Sequence, residues 1–508
     1  MNDPNVNKTP APVSNTPDPA AQAPAAKSIQ AYIDERPVWA DGTAVNISPM
    51  TAMQWRILAL ASAGKFFEGF VVFMTGVALP LIADEFKIGA FAHGLVSAAS
   101  LAGILVGALL LGGLADRFGR KTMFIIEMML FVAFLCLLVT TPPFGINSFA
   151  LLVFFLFGIG VALGCDYPTA HLIISESIPS SDRGKLVLGA FGFQALGALI
   201  GTAVGYVILK NVHDIGAWRW MYATAIIPAM LVTIGRLFVT ESGHWLLARG
   251  RLEDATRATA RLLARTPPYP REIRLSRRMR PHAKHQDGYA ALFSPENRRA
   301  TIFASVPWFL QDLGTYGIGI FTPTILAASV GHQAAHVRNL ADLIANDQLA
   351  AKGAALIDVL LIVGIICAVL LADRVGRIRL QVVGFIGCAA GLALASLSAY
   401  AGEAGRMTLI FAGFMLFNFM TNMGPNAQTY LLAGEVFPTR LRGTGAGFAA
   451  AVAKVGAVMT AFLFPMLLAD IGTQALLMIL VATSLIGAAV TWVFRIETTG
   501  VNLEKLGY

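Results

Sequence analysis

The chain has 508 residues, of which 56% are hydrophobic and only 13% charged, with a mean hydropathy of +0.65. Soluble domains carry about twice that share of charge, so a soluble globular protein is excluded and a polytopic membrane protein is expected. The net charge of +8 does not point to nucleic acid, because the basic residues gather in loops between apolar stretches, the pattern of cytoplasmic loops.

Residues 1–50 are rich in Pro, Ala, Asn and Ser and lack an apolar period. They are expected to form a disordered cytoplasmic tail. Six apolar spans follow near 54–82, 92–114, 122–141, 148–177, 185–209 and 219–239, and six more near 300–327, 353–373, 379–400, 407–433, 444–468 and 472–494. A crossing needs about 20 apolar residues. The expected fold is therefore all-α: a polytopic membrane protein with twelve transmembrane helices in two pseudo-symmetric six-helix halves, 51–239 and 300–494. The polar segment 240–299 holds the basic run Arg271–Lys284 and apolar-periodic pieces such as Trp245–Ala264. It reads as a cytoplasmic linker whose positive charge would favour an anionic leaflet, and 495–508 reads as a cytoplasmic C-terminal tail.

Loops Asp116–Thr122, Ser180–Lys185, Asp373–Arg379 and Pro438–Gly443 are basic, whereas Thr140–Ser148 and Asp470–Thr473 carry no Lys or Arg. That asymmetry puts both termini in the cytoplasm and makes 329–352 an extracytoplasmic connection. The expected location is the plasma membrane, or the cell inner membrane in a bacterium. Cys136, Cys165, Cys367 and Cys388 all fall inside apolar spans without metal-ligand or disulfide spacing and read as packing residues. No cleavable signal peptide is visible.

The halves repeat one another. Asp116-Arg117-Phe118-Gly119-Arg120 matches Asp373-Arg374-Val375-Gly376-Arg377, and Glu176, Pro179, Arg183-Gly184 match Glu435, Pro438, Arg442-Gly443. Duplicated six-span halves mark an alternating-access transporter with its site where the halves meet. The acid–arginine loops are expected to work as a cytoplasmic gate, a latch or a static anchor, built from Asp116, Arg117, Arg120, Glu176, Arg183, Asp373, Arg374, Arg377, Glu435 and Arg442. Glu176 and Glu435 are expected to cap helix ends and pair with nearby arginines.

The seventh span, Ala300–Ala327, carries Trp308, Asp312 and Tyr316 at intervals of four, on one slowly drifting helix face. A carboxylate at membrane depth costs about 3 kcal/mol or more unless it faces a cavity or partner, so Asp312 marks a candidate site. Lys454 sits well inside the eleventh span. A lone His171 in the fourth span is expected to be a hydrogen-bonded packing residue. No nucleophile–base constellation or phosphate-cradling glycine loop is present, so the chain is not expected to be an enzyme. Neither a cofactor nor a metal is expected.

Gly112–Thr122 resembles the signature loop of the major facilitator superfamily, and Glu241–Leu246, Trp218-Arg219-Trp220 and Glu497–Gly500 resemble its sugar-porter-like branch. Gly164-Cys165-Asp166-Tyr167-Pro168-Thr169-Ala170 with Ser175-Glu176, Gly424-Pro425-Asn426, Gly434–Arg440 and the Trp308–Asp312–Tyr316 stripe resemble the phosphate:proton symporter family. Gln194, Lys454 and Glu127 also fall where that family places a Gln, a Lys and a Glu. The resemblance implies a substrate site of Tyr167, Gln194, Trp308, Asp312, Tyr316, Asn426 and Lys454, with Asp312, Asp166, Glu127 and Glu68 as proton-coupling candidates. By the internal repeat, Tyr167 and Asn426 occupy near-equivalent places, as do Gln194 and Lys454.

The chemistry suits an oxyanion: the tyrosines, amides and indole donate hydrogen bonds, and Lys454 adds a charge. Protonated, Asp312 can donate to the anion; deprotonated, it can pair with Lys454 and expel it. The first span reads Glu68-Gly69-Phe70-Val71, where the family has Asp-x-Tyr-Asp. The tyrosine and second acid are missing, which leaves the proton stoichiometry and the substrate open. The expected function is proton-coupled transport of inorganic phosphate by a monomer among membrane lipid. A proton-coupled transporter of an organic acid or sugar, and a nutrient sensor that does not transport, are the alternatives.

Overall fold

A computed structural model describes residues 27–36, 49–111, 114–142, 147–180, 183–265, 273–275, 289–330, 340–438 and 441–497. The described residues form helices, with one isolated bridge between Lys27 and Leu275. The first half holds α1 (Ala52–Phe86), α2 (Ala90–Val106), α3 (Arg120–Val139), α4 (Ser148–Ser177), α5 (Arg183–Asn211) and α6 (Ile226–Leu237). The second half holds α7 (Arg298–Val330), α8 (Leu340–Val375), α9 (Arg377–Ser396) and α10 (Glu403–Met423), then a single run Arg442–Phe494. That run breaks at Gly472, whose φ of 77° no ordinary residue adopts cheaply, giving α11 (442–471) and α12 (473–494).

Ten segments are long and apolar enough to cross a membrane by composition alone, with Thr444–Phe494 among them as one. Splitting that run at Gly472 and adding α7, whose middle carries Gln311, Asp312, Thr315 and Tyr316, gives the twelve crossings expected. Three boundaries differ from the sequence reading. The sixth span is two helices, Ala217–Ala223 and α6. The tenth breaks at Gly424 and restarts with Pro425 as Pro425–Ala433, because proline cannot supply the N–H that a continuous helix needs. And α8 begins at Leu340, so the later part of the expected 329–352 connection is helix, while 331–339 lies outside the described residues.

Small residues let the helices approach closely, as membrane packing requires. A side chain at Gly160 or Gly164 would collide with the carbonyl of Ser100 or Ile104 across the α2–α4 contact. The halves meet along three seams: α1 with α7, α2 with α11, and α5 with α8. On the first, Gly76 lies against the Ile320 carbonyl and Gly319 against Phe73.

The chain between the halves forms Gly243–Ala248 and Leu252–Leu262, and the N-terminal segment packs on them. Here the expectation of a tail through residue 50 needs correcting for 27–36. Ser28 caps Ile29–Ile33, and Ile29, Tyr32 and Ile33 are buried with Ile174, Ile178, Leu246 and Leu262. Asp34 accepts from Ser180 N and Oγ, each at 2.7 Å, and Tyr32 Oη exchanges hydrogen bonds with the Arg274 backbone. Residues 1–26 and 37–48, like 498–508, lie outside the described residues.

Candidate functional site

The polar face of α7 meets α1, α5 and α11 in the middle of the molecule. Lys454 Nζ donates to Tyr316 Oη at 2.6 Å and lies 3.4 Å from both Asp312 Oδ2 and Glu68 Oε1. Tyr316 Oη donates to Glu68 Oε1 at 3.0 Å and accepts from Gln194 Nε2 at 3.0 Å. Lys65, one turn before Glu68 on α1, donates to Glu68 Oε2 at 2.6 Å. Glu68, Asp312, Lys65 and Lys454 are all buried. Burying any one of these ions alone would cost several kcal/mol, and their grouping into two ammoniums and two carboxylates offsets that cost. Five sequence-derived candidates thus come together: Glu68, Gln194, Asp312, Tyr316 and Lys454.

Asp166 and Glu127 sit apart, in a second ionic cluster inside the first half. Arg236 of α6 donates to Asp166 Oδ1 at 2.6 Å, to Glu127 Oε1 at 2.9 Å and to the Phe124 carbonyl at 2.6 Å, and its guanidinium stacks 3.5 Å above the Phe124 ring. Asp166 lies so close to Gly64 of α1 that any side chain there would overlap the carboxylate.

Two other candidates join neighbouring networks. Asn426 accepts from Gln311 Nε2 at 3.1 Å and donates to Asn422 Oδ1 at 2.7 Å, rather than meeting the ions. Trp308 packs edge-on against Tyr430, which stacks on Phe191 at 4.7 Å. His171 Nδ1 lies 3.1 Å from Tyr430 Oη, so it is hydrogen-bonded as expected, but it is exposed rather than packed away. The Tyr167 side chain lies outside the described residues.

At the loop end, Arg120 forks onto Glu176 at 3.1 and 3.3 Å, and Arg377 pairs with Glu435. These pairs stand at matching places in the two halves, and each stays within its own half. The glycines before the arginines match too: Gly119 has φ 103° and Gly376 φ 94°. Glu176 also accepts from Ser242, and Glu241 from the Lys121 N–H at 3.1 Å, so the segment after α6 is bonded to this corner. Arg117 and Arg374 are exposed, and the Arg117 carbonyl accepts from Arg249 at 3.0 Å. Arg183 is half-buried at the start of α5. The side chains of Asp116, Asp373 and Arg442 lie outside the described residues.

Sequence reasoning missed Lys65, Gln311 and Arg236. The signal for Lys65 was its spacing, three residues before an acid inside an apolar span. The signal for Arg236 was a cation inside an apolar span.

The sugar (and other) transporter family matches residues 57–508, nearly the whole chain. The chain belongs to that family. It is a membrane transporter and not an enzyme. Among its relatives, the inner membrane metabolite transport protein YgcS of Escherichia coli is 29% identical over 462 residues, covering 90% of this chain and 95% of the relative. The glucose transporter GlcP of Staphylococcus epidermidis is 25% identical, covering 90% of this chain and 98% of the relative. The Schizosaccharomyces pombe protein C8E4.01c, provisionally assigned to inorganic phosphate transport, is 28% identical over 83% of this chain and 82% of the relative. The Escherichia coli xylose transporter XylE, solved in a partially occluded inward-open conformation, superposes with a TM-score of 0.70 at 20% identity over 89% of this chain and all of that one. At that identity the likeness establishes the fold: this transporter has the two-half helical architecture of the major facilitator superfamily.

Proposed function

We propose that this transporter moves inorganic phosphate together with protons by alternating access, with the Lys65–Glu68–Asp312–Tyr316–Lys454–Gln194 cluster as its central site. The observation that carries this is the charge count at one buried point. Two ammoniums face two carboxylates, and each ammonium touches a carboxylate. In that state the site is neutral and each cation is occupied. Adding one proton to a carboxylate leaves a net single positive charge, which suits the monoanion of phosphate; adding two suits the dianion. Proton and anion binding then support each other reciprocally, and charge-assisted bonds from two lysines supply the affinity. Tyr316 and Gln194 add neutral donors. A neutral sugar has no need for two buried ammoniums.

The Arg236 cluster is a secondary proton candidate, since one guanidinium faces two carboxylates, Glu127 and Asp166. The basic loops support an orientation with both termini in the cytoplasm and the Arg120–Glu176 and Arg377–Glu435 corners on that side. The second reading is proton-coupled transport of an organic acid. It is favoured by Glu68, whose neighbours Phe70 and Val71 replace the tyrosine and acid of the phosphate:proton symporters. A carboxylate substrate would use the same lysines.

Calorimetric titration of the purified transporter with phosphate tests the choice. Saturable phosphate binding is expected to weaken about 10- to 100-fold in Lys454→Ala, since a bond to a charged group is worth about 1.5–3 kcal/mol. Heat from small carboxylic acids with none from phosphate would favour the second reading.

A further inference from the structure

Asp358 takes no part in the central cluster, yet it is a carboxyl group only 3% exposed in the middle of α8. It stands on the seam where α8 of the second half meets α5 of the first. Across that seam Thr202 is fully buried, with its Oγ1 3.1 Å from Asp358 Oδ2. On its own side Asn418 Nδ2 of α10 donates to Asp358 Oδ1 at 3.1 Å. Thr202 and Asn418 are the neighbours that act on this carboxyl among the described residues. Titratable groups on the helices packed around it (Lys65 and Glu68 on α1; Arg183, Lys185, Tyr206 and Lys210 on α5; Asp312 and Tyr316 on α7; Arg377, Arg379 and Cys388 on α9; Arg406 on α10) make no hydrogen bond or ion pair with it among the described residues.

The threonine hydroxyl has one hydrogen and three oxygens within reach. Thr202 Oγ1 also lies 3.1 Å from the Ala198 carbonyl and 3.0 Å from the Leu199 carbonyl of its own helix. A hydroxyl has one hydrogen to give and two lone pairs to receive. Main-chain carbonyls can only accept. If the hydroxyl bonds back to its helix, as buried threonines commonly do, the contact with Asp358 is satisfied when the carboxyl donates through Oδ2. Oδ1 then remains the acceptor for Asn418. A buried acid with no cation beside it is stable in this neutral form.

A polar line leads from this carboxyl toward the central site. Asn418, Asn422 and Asn426 recur every four residues along α10 and its continuation. Asn422 Nδ2 donates to the Leu361 carbonyl, one turn beyond Asp358, at 2.9 Å. Asn426 bonds Asn422, and Gln311, next to Asp312, bonds Asn426.

We propose that Asp358 is a second proton-binding site, distinct from the central ions, and that its proton holds the α5–α8 seam closed. Protonated, Asp358 donates to Thr202 from one half to the other. Deprotonated, it is a charge between apolar helices with Thr202 and Asn418 in reach but no ion-pair partner among the described residues, and water entering a parted seam can solvate it. Loss of the proton therefore favours separation of the halves along α5 and α8. The inference rests on the alternating-access reading and not on the identity of the solute.

Double electron–electron resonance tests it on the full-length protein in lipid nanodiscs without substrate. Spin labels go on the exposed positions Val207 of α5 and Leu356 of α8, after replacement of the four native cysteines. The inter-label distances are expected to lengthen as pH rises. Asp358→Asn, whose amide still donates to Thr202, is expected to keep the short distances at every pH. Thr202→Val, which retains the acid but not its partner, is expected to lose the pH-dependent shift, and Asp312→Asn to keep it. A wild-type distribution that does not change with pH would overturn the proposal. So would an Asp358→Asn distribution that shifts as the wild type does, or disappearance of the shift in Asp312→Asn. Because the measurement uses no phosphate, its failure is separate from failure of the phosphate reading.

Discussion

The residues that explain this molecule are buried ions, and each is tolerable only through its partners. Arg236 shows this most plainly. It is fully buried, and its guanidinium holds Glu127 and Asp166 together while stacking on Phe124. Removing it would leave two carboxylates in the core without a cation. Breaking a buried pair in this way costs about 3–5 kcal/mol, so Arg236→Met is expected to lower the unfolding free energy by about that amount. Chemical denaturation in detergent would check it, and an unchanged midpoint would mean that the acids are held some other way. Asp312, Tyr316 and Lys454 were legible in the sequence because polar residues at helical spacing stand out in an apolar span. Lys65 was not, because an ammonium three residues from an acid reads equally well as an isolated ion pair.

At the level of elements, the internal repeat carries most of the argument. The short loops that end in Arg120 and Arg377 turn through Gly119 and Gly376, whose φ values of 103° and 94° lie with extended ψ in a region open essentially to glycine. A side chain at Gly119 would also strike Glu241, whereas one at Gly376 would meet nothing within 4 Å. Gly376→Ala therefore isolates the backbone term and is expected to destabilise the fold by about 1–3 kcal/mol. A thermal-shift series that finds this variant as stable as the wild type would show that the loop relaxes.

The twelve crossings could be read from apolar length, and so could the break between the last two near 468–472, where the structure turns at Gly472; the break inside the tenth could not. The stretch 407–433 reads as one span by its apolar content, and the structure interrupts it at Gly424–Pro425, where the proline lacks an N–H. The N-terminal docking was illegible for a different reason. Ile29–Ile33 is five residues long, too short to show a period, and its partners lie far along the chain at Ile174, Leu246 and Leu262. Ile33→Asp puts a charge into that contact and is expected to free the segment. Faster limited proteolysis within residues 27–36 would report it, and an unchanged cleavage rate would contradict a docked segment.

On the scale of the whole molecule, two pseudo-symmetric halves enclose a neutral set of four ions, and the seams beside that set are closed by small residues and by Asp358 with Thr202. Family membership establishes transport; the proposal of a proton-coupled oxyanion rests on the site chemistry. Because Lys454 contacts Glu68, Asp312 and Tyr316, any anion drawn to it has to displace or neutralise a carboxylate first. Under the proposed function, that requirement would tie substrate entry to proton entry.

The most direct test is uptake of radiolabelled phosphate into proteoliposomes containing the purified protein under an imposed inward proton gradient. The account predicts gradient-dependent accumulation in the wild type. It predicts that Asp312→Asn loses the dependence on the gradient while still binding phosphate. Gradient-driven accumulation by Asp312→Asn equal to that of the wild type would contradict the assignment of coupling to Asp312. No phosphate uptake, under conditions where an organic acid accumulates, would contradict phosphate as the substrate.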